Sequence, residues 1–285
     1  MSGPDDPKTT PRETEDGGVP ADTITGRLDP WMALSPLLVL LAALLCAVVI
    51  GGIVMVLTGA NPVEAYWALL RGAVGSPDRI ASSLARATPF IGASLALAFA
   101  FKAGLFNIGA EGQLLIGALF GGWAGTWSWM AGAPSIVAIP VVIGMGMLGG
   151  ALYGGFPGFL KAKTGAHEVI VTIMLNTIAL RLVEWLVLSR DPVILLDTTA
   201  SVPHSREIVE SAKLPHMPFA GASSLHWGLA LGIVACAVMW FVMERTSTGF
   251  ELKTVGLNPS AAIYAGMSVS KVWILAMAGS GAFAG

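Results

Sequence analysis

The sequence predicts an all-α, polytopic transmembrane helix bundle, and three observations support this fold class. Of 285 residues, 54% are hydrophobic and only 12% are charged, whereas a soluble domain carries about 25% charged residues. The mean hydropathy is +0.72. Successive apolar runs are mostly long enough for helices that cross a bilayer. The net charge of −2 argues against a nucleic-acid-binding protein.

The beginning of the chain differs in composition from the remainder. Residues 1–30 are rich in Pro, Asp, Glu, Thr and Gly and hold almost no large apolar side chains, so they cannot bury a core. We predict a disordered cytoplasmic tail over 1–30 and a transmembrane domain over 31–285. The tail is not a secretory signal, because the first apolar run comes late and is long enough to span a bilayer.

Apolar runs predict the membrane spans in chain order. Gly150, Gly154 and Gly158 recur every four residues in the fourth run and predict a surface for close helix packing. The last run holds 14 residues, fewer than the roughly 20 that a spanning helix needs, and favours a chain that continues beyond Gly285. The predicted spans are 36–58, 84–101, 105–127, 136–160, 169–188, 225–243 and 272–285, joined by a semi-polar connection over 61–78 and by polar segments over 190–224 and 244–270.

Polar residues interrupt the apolar, glycine-rich segment FKAGLFNIGAEGQLLIGALF at 101–120. Asn107, Glu111 and Gln113 form this cluster, and the first two share a face if the segment is helical. A carboxylate at bilayer depth costs about 2.5–3.5 kcal/mol on insertion scales, so Glu111 should face a bundle interior or a water-filled cavity. Glycines allow a helix to break at such a cavity, and we predict a broken helix near 104–117. A solute pathway and a structural polar cluster are equal alternatives.

A second polar stripe begins the fifth span. Glu168, Thr172 and Asn176 recur every four residues and therefore lie on one face of a helix. They are candidates for the same pathway, while interhelical hydrogen bonding is the plainer alternative and is favoured for Thr172. Arg181 and Glu184, three residues apart, are expected to neutralise each other near the membrane interface.

The segment from Arg245 to Lys271 carries the signals of a short capped helix. Asn258 suits the N-cap, Pro259 the first helical position and Gly266 a C-terminal stop. We predict a helix over 259–265 that docks on a partner subunit, with an ordinary connector as the alternative that composition alone favours.

The distribution of Lys and Arg predicts the orientation. With the N-terminus inside, nine of these residues fall in inner segments, five in outer segments and two within spans. Because cytoplasmic loops carry the excess of positive charge, the N-terminus is predicted to be cytoplasmic. This orientation puts 190–224 outside and 244–270 inside.

Three stretches resemble one family of proteins. FNIGAEGQ at 106–113, HEVIVTIMLN at 167–176 and GLNPSAAIYAGMSVSK at 256–271 resemble integral membrane permeases of ABC importers for nucleosides and simple sugars, within the branched-chain amino acid and ribose permease superfamily. The resemblance runs from about Pro62 to Gly285. It implies a type II-like importer fold in the bacterial cytoplasmic membrane, alternating access, and a broken helix at 104–117 around the translocation path.

The resemblance also implies partners. They are an ATP-binding subunit that carries out ATP hydrolysis, a second permease subunit in a homo- or heterodimer, and an extracytoplasmic solute-binding lipoprotein. The chain itself has no G-x-x-x-x-G-K-[ST] phosphate loop and is expected to need no cofactor. The segment 256–266 would be the coupling segment that presses into a groove on the ATP-binding subunit. Its implied coupling residues are Gly256, Asn258, Pro259, Ala261, Ala262, Tyr264 and Gly266.

Two other functional classes stay open on the residues alone. An ion-coupled secondary transporter also places polar groups at broken helices, although the sequence shows no inverted repeat. A membrane enzyme is the least favoured class, because no nucleophile, base and orienting group, and no metal-ligand set, stand together in the sequence.

Overall fold

The architecture is that of a computed structural model in which all regular elements of the described residues are helical. The first predicted segment, 1–30, lies outside the described residues except for Pro30, and the side chains of 30–37 are not described. The structure describes residues 30–190, 194–199, 201–202, 204–217 and 225–285.

Ten α-helices occur within the described ranges, and each predicted span coincides with one of them. Two short 3₁₀ helices, Ser128–Gly132 and Glu210–Ala212, lie between the longer elements. The α-helices are α1 Pro30–Leu57, α2 Pro62–Val74, α3 Pro77–Lys102, α4 Ala110–Gly125, α5 Ser135–Thr164, α6 Glu168–Leu188, α7 Gly228–Arg245, α8 Ser247–Leu257, α9 Pro259–Tyr264 and α10 Val269–Ala284.

Five of the described helices are long and apolar enough to cross a bilayer, namely α1, α3, α5, α6 and α7. The sixteen-residue α10 is apolar but shorter. Most large apolar side chains of α1 are exposed, as expected for a helix whose surroundings are lipid rather than water. The all-α polytopic fold class is therefore confirmed.

The described residues up to Leu69 form one compact unit, and the described residues from Leu70 to Gly285 form another. Within the first, the hydroxyl of Tyr66 donates a 2.7 Å hydrogen bond to Val48 O. The predicted semi-polar connection over 61–78 is largely helical, because Asn61 caps the start of α2 by accepting from Val63 N, and Pro62 suits the first helical position.

The second unit is built around the close packing of α5 on α10. Gly150, Gly154 and Gly158 are buried, as the predicted packing surface requires. A Cβ on Gly158 would lie 2.8 Å from Met277 Cβ, and one on Gly154 would lie 3.0 Å from Gly281 Cα. Only glycine allows the two backbones to approach this closely, because any Cβ would hold them apart. The close approach stabilises the pair because van der Waals contact drives helix association in lipid.

The described parts of the predicted polar loop 190–224 are attached to the helix ends. Val209 N donates to Gly125 O at 3.0 Å, and Ser211 Oγ donates to Met130 O at 2.6 Å. The buried Ala212 joins an apolar cluster with Met130 at this end of the bundle. The loop therefore covers the C-terminal end of α4 instead of projecting away from it.

The segment 244–270, predicted to be an inner one, holds a helix that the sequence analysis missed. Thr246 caps α8 by accepting a 3.2 Å hydrogen bond from Gly249 N. Leu252 and Val255 on α8 are fully buried in the apolar cluster that includes Phe99 of α3. This packing fixes α8 to the bundle and positions α9 directly after it.

Candidate functional site

The predicted interruption is present between α3 and α4. Residues 103–109 are not helical, and α4 begins at Ala110. Gly104 has a φ of +71°, a left-handed conformation that ends α3 and that residues with a Cβ rarely adopt. The break therefore occupies the first half of the predicted range 104–117, and the second half forms the first turns of α4.

A buried hydrogen-bond network centres on Asn107 inside the break. Its Nδ2 donates to Gln113 Oε1 at 2.9 Å and to Ser280 Oγ at 2.7 Å. Its Oδ1 accepts from Gly109 N at 2.8 Å and from Gln113 Nε2 at 3.3 Å. Ser280 in turn donates to Ala96 O at 2.7 Å. The network joins the break to α3, α4 and α10, and it satisfies polar groups that would be costly to bury unpaired.

Asn176 on α6 holds the other side of the break. Its Nδ2 donates to Ile108 O at 2.8 Å, and its Oδ1 accepts from Gly112 N at 2.9 Å. The first N–H groups of a helix have no partner within it, and Gly109 at the N-cap of α4 has no side chain to supply one. Asn176 provides this acceptor from a different helix, which is the interhelical role that the sequence left open for it.

Thr172 does not make the interhelical hydrogen bond that the sequence analysis favoured. Its hydroxyl donates to Glu168 O at 2.8 Å within its own helix, as Thr commonly does inside an apolar helix. The side chain is fully buried instead against the break, where a Cβ on Gly109 would lie 2.9 Å from Thr172 Cβ. Its contribution is packing.

Glu111 is exposed, so this chain's own helices do not enclose it as expected. The predicted alignment with Asn107 fails because Asn107 lies before the helix begins. The inward side of α4 carries the buried Gly112 and Gln113, whereas Glu111 lies on the same outward side as Ala118. Its negative charge in the first turn is favourable for the α4 dipole.

The enclosed carboxylate is Glu168. Its Oε2 lies 2.6 Å from Lys161 Nζ, and only 10% and 20% of the two side chains are exposed. Lys161 also lies over the ring of Trp273 in α10, 5.0 Å from its centroid. Glu168 Oε1 accepts a long hydrogen bond of 3.5 Å from Phe106 N in the break. The pair therefore links α5, α6 and α10 beside the break.

Arg181 and Glu184 form the predicted ion pair at 2.8 Å. Their side chains are 74% and 43% exposed. An exposed pair of this kind contributes at most about 1 kcal/mol, so it has little weight in the site.

The predicted capped helix is present as α9. Asn258 Oδ1 accepts a 3.0 Å hydrogen bond from Ala261 N, and Gly266 has a φ of +81° just after the helix. Its side chains face two environments, because Ala262 is fully buried whereas Ile263 and Tyr264 are 62% and 94% exposed. The segment thus joins the bundle on one side and presents large side chains on the other.

Gly256, at the end of α8, contacts the break itself. A Cβ on Gly104 would lie 3.1 Å from Gly256 O, and one on Gly256 would lie 2.9 Å from Gly104 N. The two glycines bring the backbone before α9 against the backbone that ends α3. Sequence reasoning missed this contact, and it also missed Lys161 and Ser280.

A family model described as the permease component of the branched-chain amino acid transport system matches residues 79–285. The chain belongs to that family. With five described helices able to cross a bilayer, it is a multi-pass membrane permease, and the family resemblance of its three sequence stretches is confirmed.

Curated relatives of this permease match most of its sequence, and the matches cover about 70% of each relative's own length. The guanosine ABC transporter permease protein NupP of Bacillus subtilis is 39% identical over 88% of this chain and 70% of that protein. The nucleoside ABC transporter permease protein NupB of Lactococcus lactis is 38% identical over 87% and 68%. The glucose ABC transporter permease protein TsgB13 of Haloferax volcanii is 35% identical over 90% and 69%. No solved structure matches the chain.

Proposed function

We propose that this permease forms the solute pathway of an ATP-driven importer for nucleosides or simple sugars in the bacterial cytoplasmic membrane. The observation that carries the proposal is the identity of 38–39% to two permeases named for guanosine and nucleosides, over nearly nine-tenths of the chain. The relative named for glucose keeps simple sugars as the second solute class.

The permease acts by transport, and a separate ATP-binding subunit hydrolyses ATP. The segment 256–266 contacts the ATP-binding subunit on the cytoplasmic side of the membrane. In this orientation the N-terminus is cytoplasmic as well. Support comes from the exposed side chains of Leu257, Ile263 and Tyr264, of which Leu257 and Tyr264 are 87% and 94% exposed. Large apolar side chains on a short helix suit a groove on a partner protein.

Gly104 and Gly256 carry motion from the coupling segment to the break. Because the two backbones touch without intervening side chains, a displacement of 256–266 moves the end of α3. The break is in turn hydrogen-bonded through Asn107 to α4 and α10. Rocking of these helices opens the pathway first to one side and then to the other.

The six pathway residues divide into two roles in this proposal. Glu111 faces the pathway, which a second permease subunit closes on the exposed side of α4. The remaining five, Asn107, Gln113, Glu168, Thr172 and Asn176, hold the broken helix in shape. An extracytoplasmic solute-binding lipoprotein delivers solute at the side of the loop 190–224.

Uptake of radiolabelled nucleoside into cells that express the complete importer tests the proposal. We expect uptake to disappear when the phosphate-loop lysine of the ATP-binding subunit is replaced, and to survive collapse of the proton and sodium gradients. Proton- or sodium-driven uptake by the purified permease alone would instead establish a secondary transporter.

Crosslinking tests the coupling contact. A cysteine in place of Tyr264 should crosslink to the ATP-binding subunit and should resist an impermeant thiol reagent added outside intact cells. Val202→Cys, on the predicted outer loop, is the matched control and should show the opposite pattern. Outside labelling of Tyr264→Cys would reverse the proposed orientation.

A further inference from the structure

A cavity of about 290 Å³ lies at the loop end of α4 and α6. It is close in size to the smaller sites that bind organic molecules. Leu115, Ala118 and Gly122 form its α4 wall. Glu111 lies one helical turn before Leu115 on this same outward side of α4, so the cavity and the proposed pathway residue share one continuous helix face.

A folded-back part of the outer loop forms one wall of the cavity. Leu195 N donates to Leu186 O at 3.2 Å, which attaches the segment to α6. Arg206 N donates to Leu195 O at 3.2 Å, and Leu196 pairs with Ser205 in an antiparallel bridge. This two-stranded arrangement puts Ser205 and Arg206 into the lining.

Trp123 is the aromatic residue of the lining. Its indole is 46% exposed, and Trp127 packs perpendicular to it with ring centroids 5.4 Å apart. Trp123 also borders an adjoining apolar cavity of about 240 Å³, together with Phe120. Most of the remaining lining is aliphatic, and polar side chains come from Thr126, Ser205 and Arg206.

We infer that this cavity binds the heteroaromatic base of a nucleoside, with the base against Trp123 and the polar edge toward Ser205 and Arg206. The inference rests on the proposed function and selects nucleosides over simple sugars. A base offers a flat apolar surface with polar atoms along one edge, which suits an aromatic and aliphatic wall with few polar groups. A sugar carries hydroxyl groups on most of its carbons, and this lining would leave several of them without partners.

Protection of an introduced cysteine tests the inference. In the complete importer in membrane vesicles, Ala118→Cys is made after the native Cys46 and Cys236, both free and exposed, are replaced by Ser. Purine nucleoside and free purine base should slow maleimide labelling at residue 118, whereas free ribose should not. Val202→Cys, on the same loop but outside the lining, is the control and should label at the same rate throughout.

Replacement of the indole gives a second readout. Trp123→Ala should abolish protection and raise the KM for nucleoside uptake at least about fivefold, the loss expected for one base–aromatic stack. Trp123→Phe should restore part of both. Trp185→Ala removes an indole of similar exposure, 54%, that does not line the cavity, and should change neither.

Three protection results would overturn the inference. The first is equal protection by ribose, and the second is no protection by any solute while the unmutated importer takes up nucleoside. The third is labelling that is slow in lipid but fast in detergent regardless of solute, because that pattern would assign the cavity to a lipid chain. Uptake of a simple sugar but not of nucleoside by the unmutated importer would overturn this inference alone, whereas uptake of neither solute would refute the proposed function and this inference with it.

Discussion

Asn107 Nδ2 donates a 2.7 Å hydrogen bond to Ser280 Oγ, although 173 residues separate the two in the chain. Both side chains are fully buried. Ser280 lies about 16 Å along α10 from its first residue, so the contact is well inside the bundle. The break between α3 and α4 is therefore fastened to the last described helix by groups that have no water to replace a lost partner.

Ser280→Ala should destabilise the permease by about 1–3 kcal/mol, because it leaves Asn107 and Ala96 O with one fewer buried partner. Thermal unfolding of the purified permease in detergent measures this loss. Ser268→Ala, at the N-cap of the same helix, is the matched control, since Ser268 is exposed and makes no side-chain capping hydrogen bond. Equal melting temperatures for the two variants would show that the hydrogen-bond network does not stabilise the break.

Gly256→Ala should uncouple ATP hydrolysis from transport. The added Cβ would lie 2.9 Å from Gly104 N and 3.0 Å from Ala103 C, so the backbones must separate at a cost of about 1–3 kcal/mol. The ratio of solute transported to ATP hydrolysed in proteoliposomes should fall.

Gly144→Ala is the control for that experiment, because no atom outside its own helix lies within 4 Å of the added Cβ. This variant should keep the normal ratio. If Gly256→Ala kept it as well, motion would reach the break by another contact.

Lys161→Met should cost about 3–5 kcal/mol, because it leaves the carboxylate of Glu168 buried without its partner. Adding Glu168→Gln to it should recover most of that loss by removing the charge. Membrane abundance and thermal unfolding report both effects. Arg181→Ala, which breaks an exposed pair, should cost at most about 1 kcal/mol; an equal loss from both single variants would contradict the enclosed role of Lys161.

Glu111→Gln should lower nucleoside uptake roughly tenfold or more, the loss expected when one hydrogen bond to a charged group disappears. The amount of permease in the membrane should stay the same, because the side chain is exposed in this chain. Glu251→Gln, at an exposed position of α8, is the control for loss of a negative charge. Normal uptake by Glu111→Gln would leave this carboxylate a structural role only.

Local chemistry made much of the fold predictable. Long apolar runs have one stable solution in a bilayer, the helix, and the predicted spans coincide with helices for that reason. The cap at Asn258 and the stop at Gly266 depend on neighbouring residues alone, and so does the pairing of Arg181 with Glu184. The break after Gly104 was also visible, because glycines and polar residues interrupt an apolar run there.

The contacts of the site depended on which helices meet, and here sequence spacing misled. Spacing put Asn107 and Glu111 on one face, yet the break separates them and leaves Glu111 exposed. Glu168 is enclosed because Lys161 approaches it from α5, a pairing that no local pattern indicates. Ser280 and Gly256 also contact the break from distant parts of the chain, the first by a hydrogen bond to Asn107 and the second by backbone contact with Gly104.

The sequence by itself determined an all-helical membrane permease, the positions of its long apolar helices, its broken helix and the capped helix after Asn258, because apolar length, glycine and capping residues act over a few neighbouring positions. Only the tertiary structure decided which polar side chains are buried together, because burial depends on contacts between helices that are far apart in the chain. Inside the bilayer no water can hydrogen-bond to these side chains, so each must find its partner elsewhere in the protein.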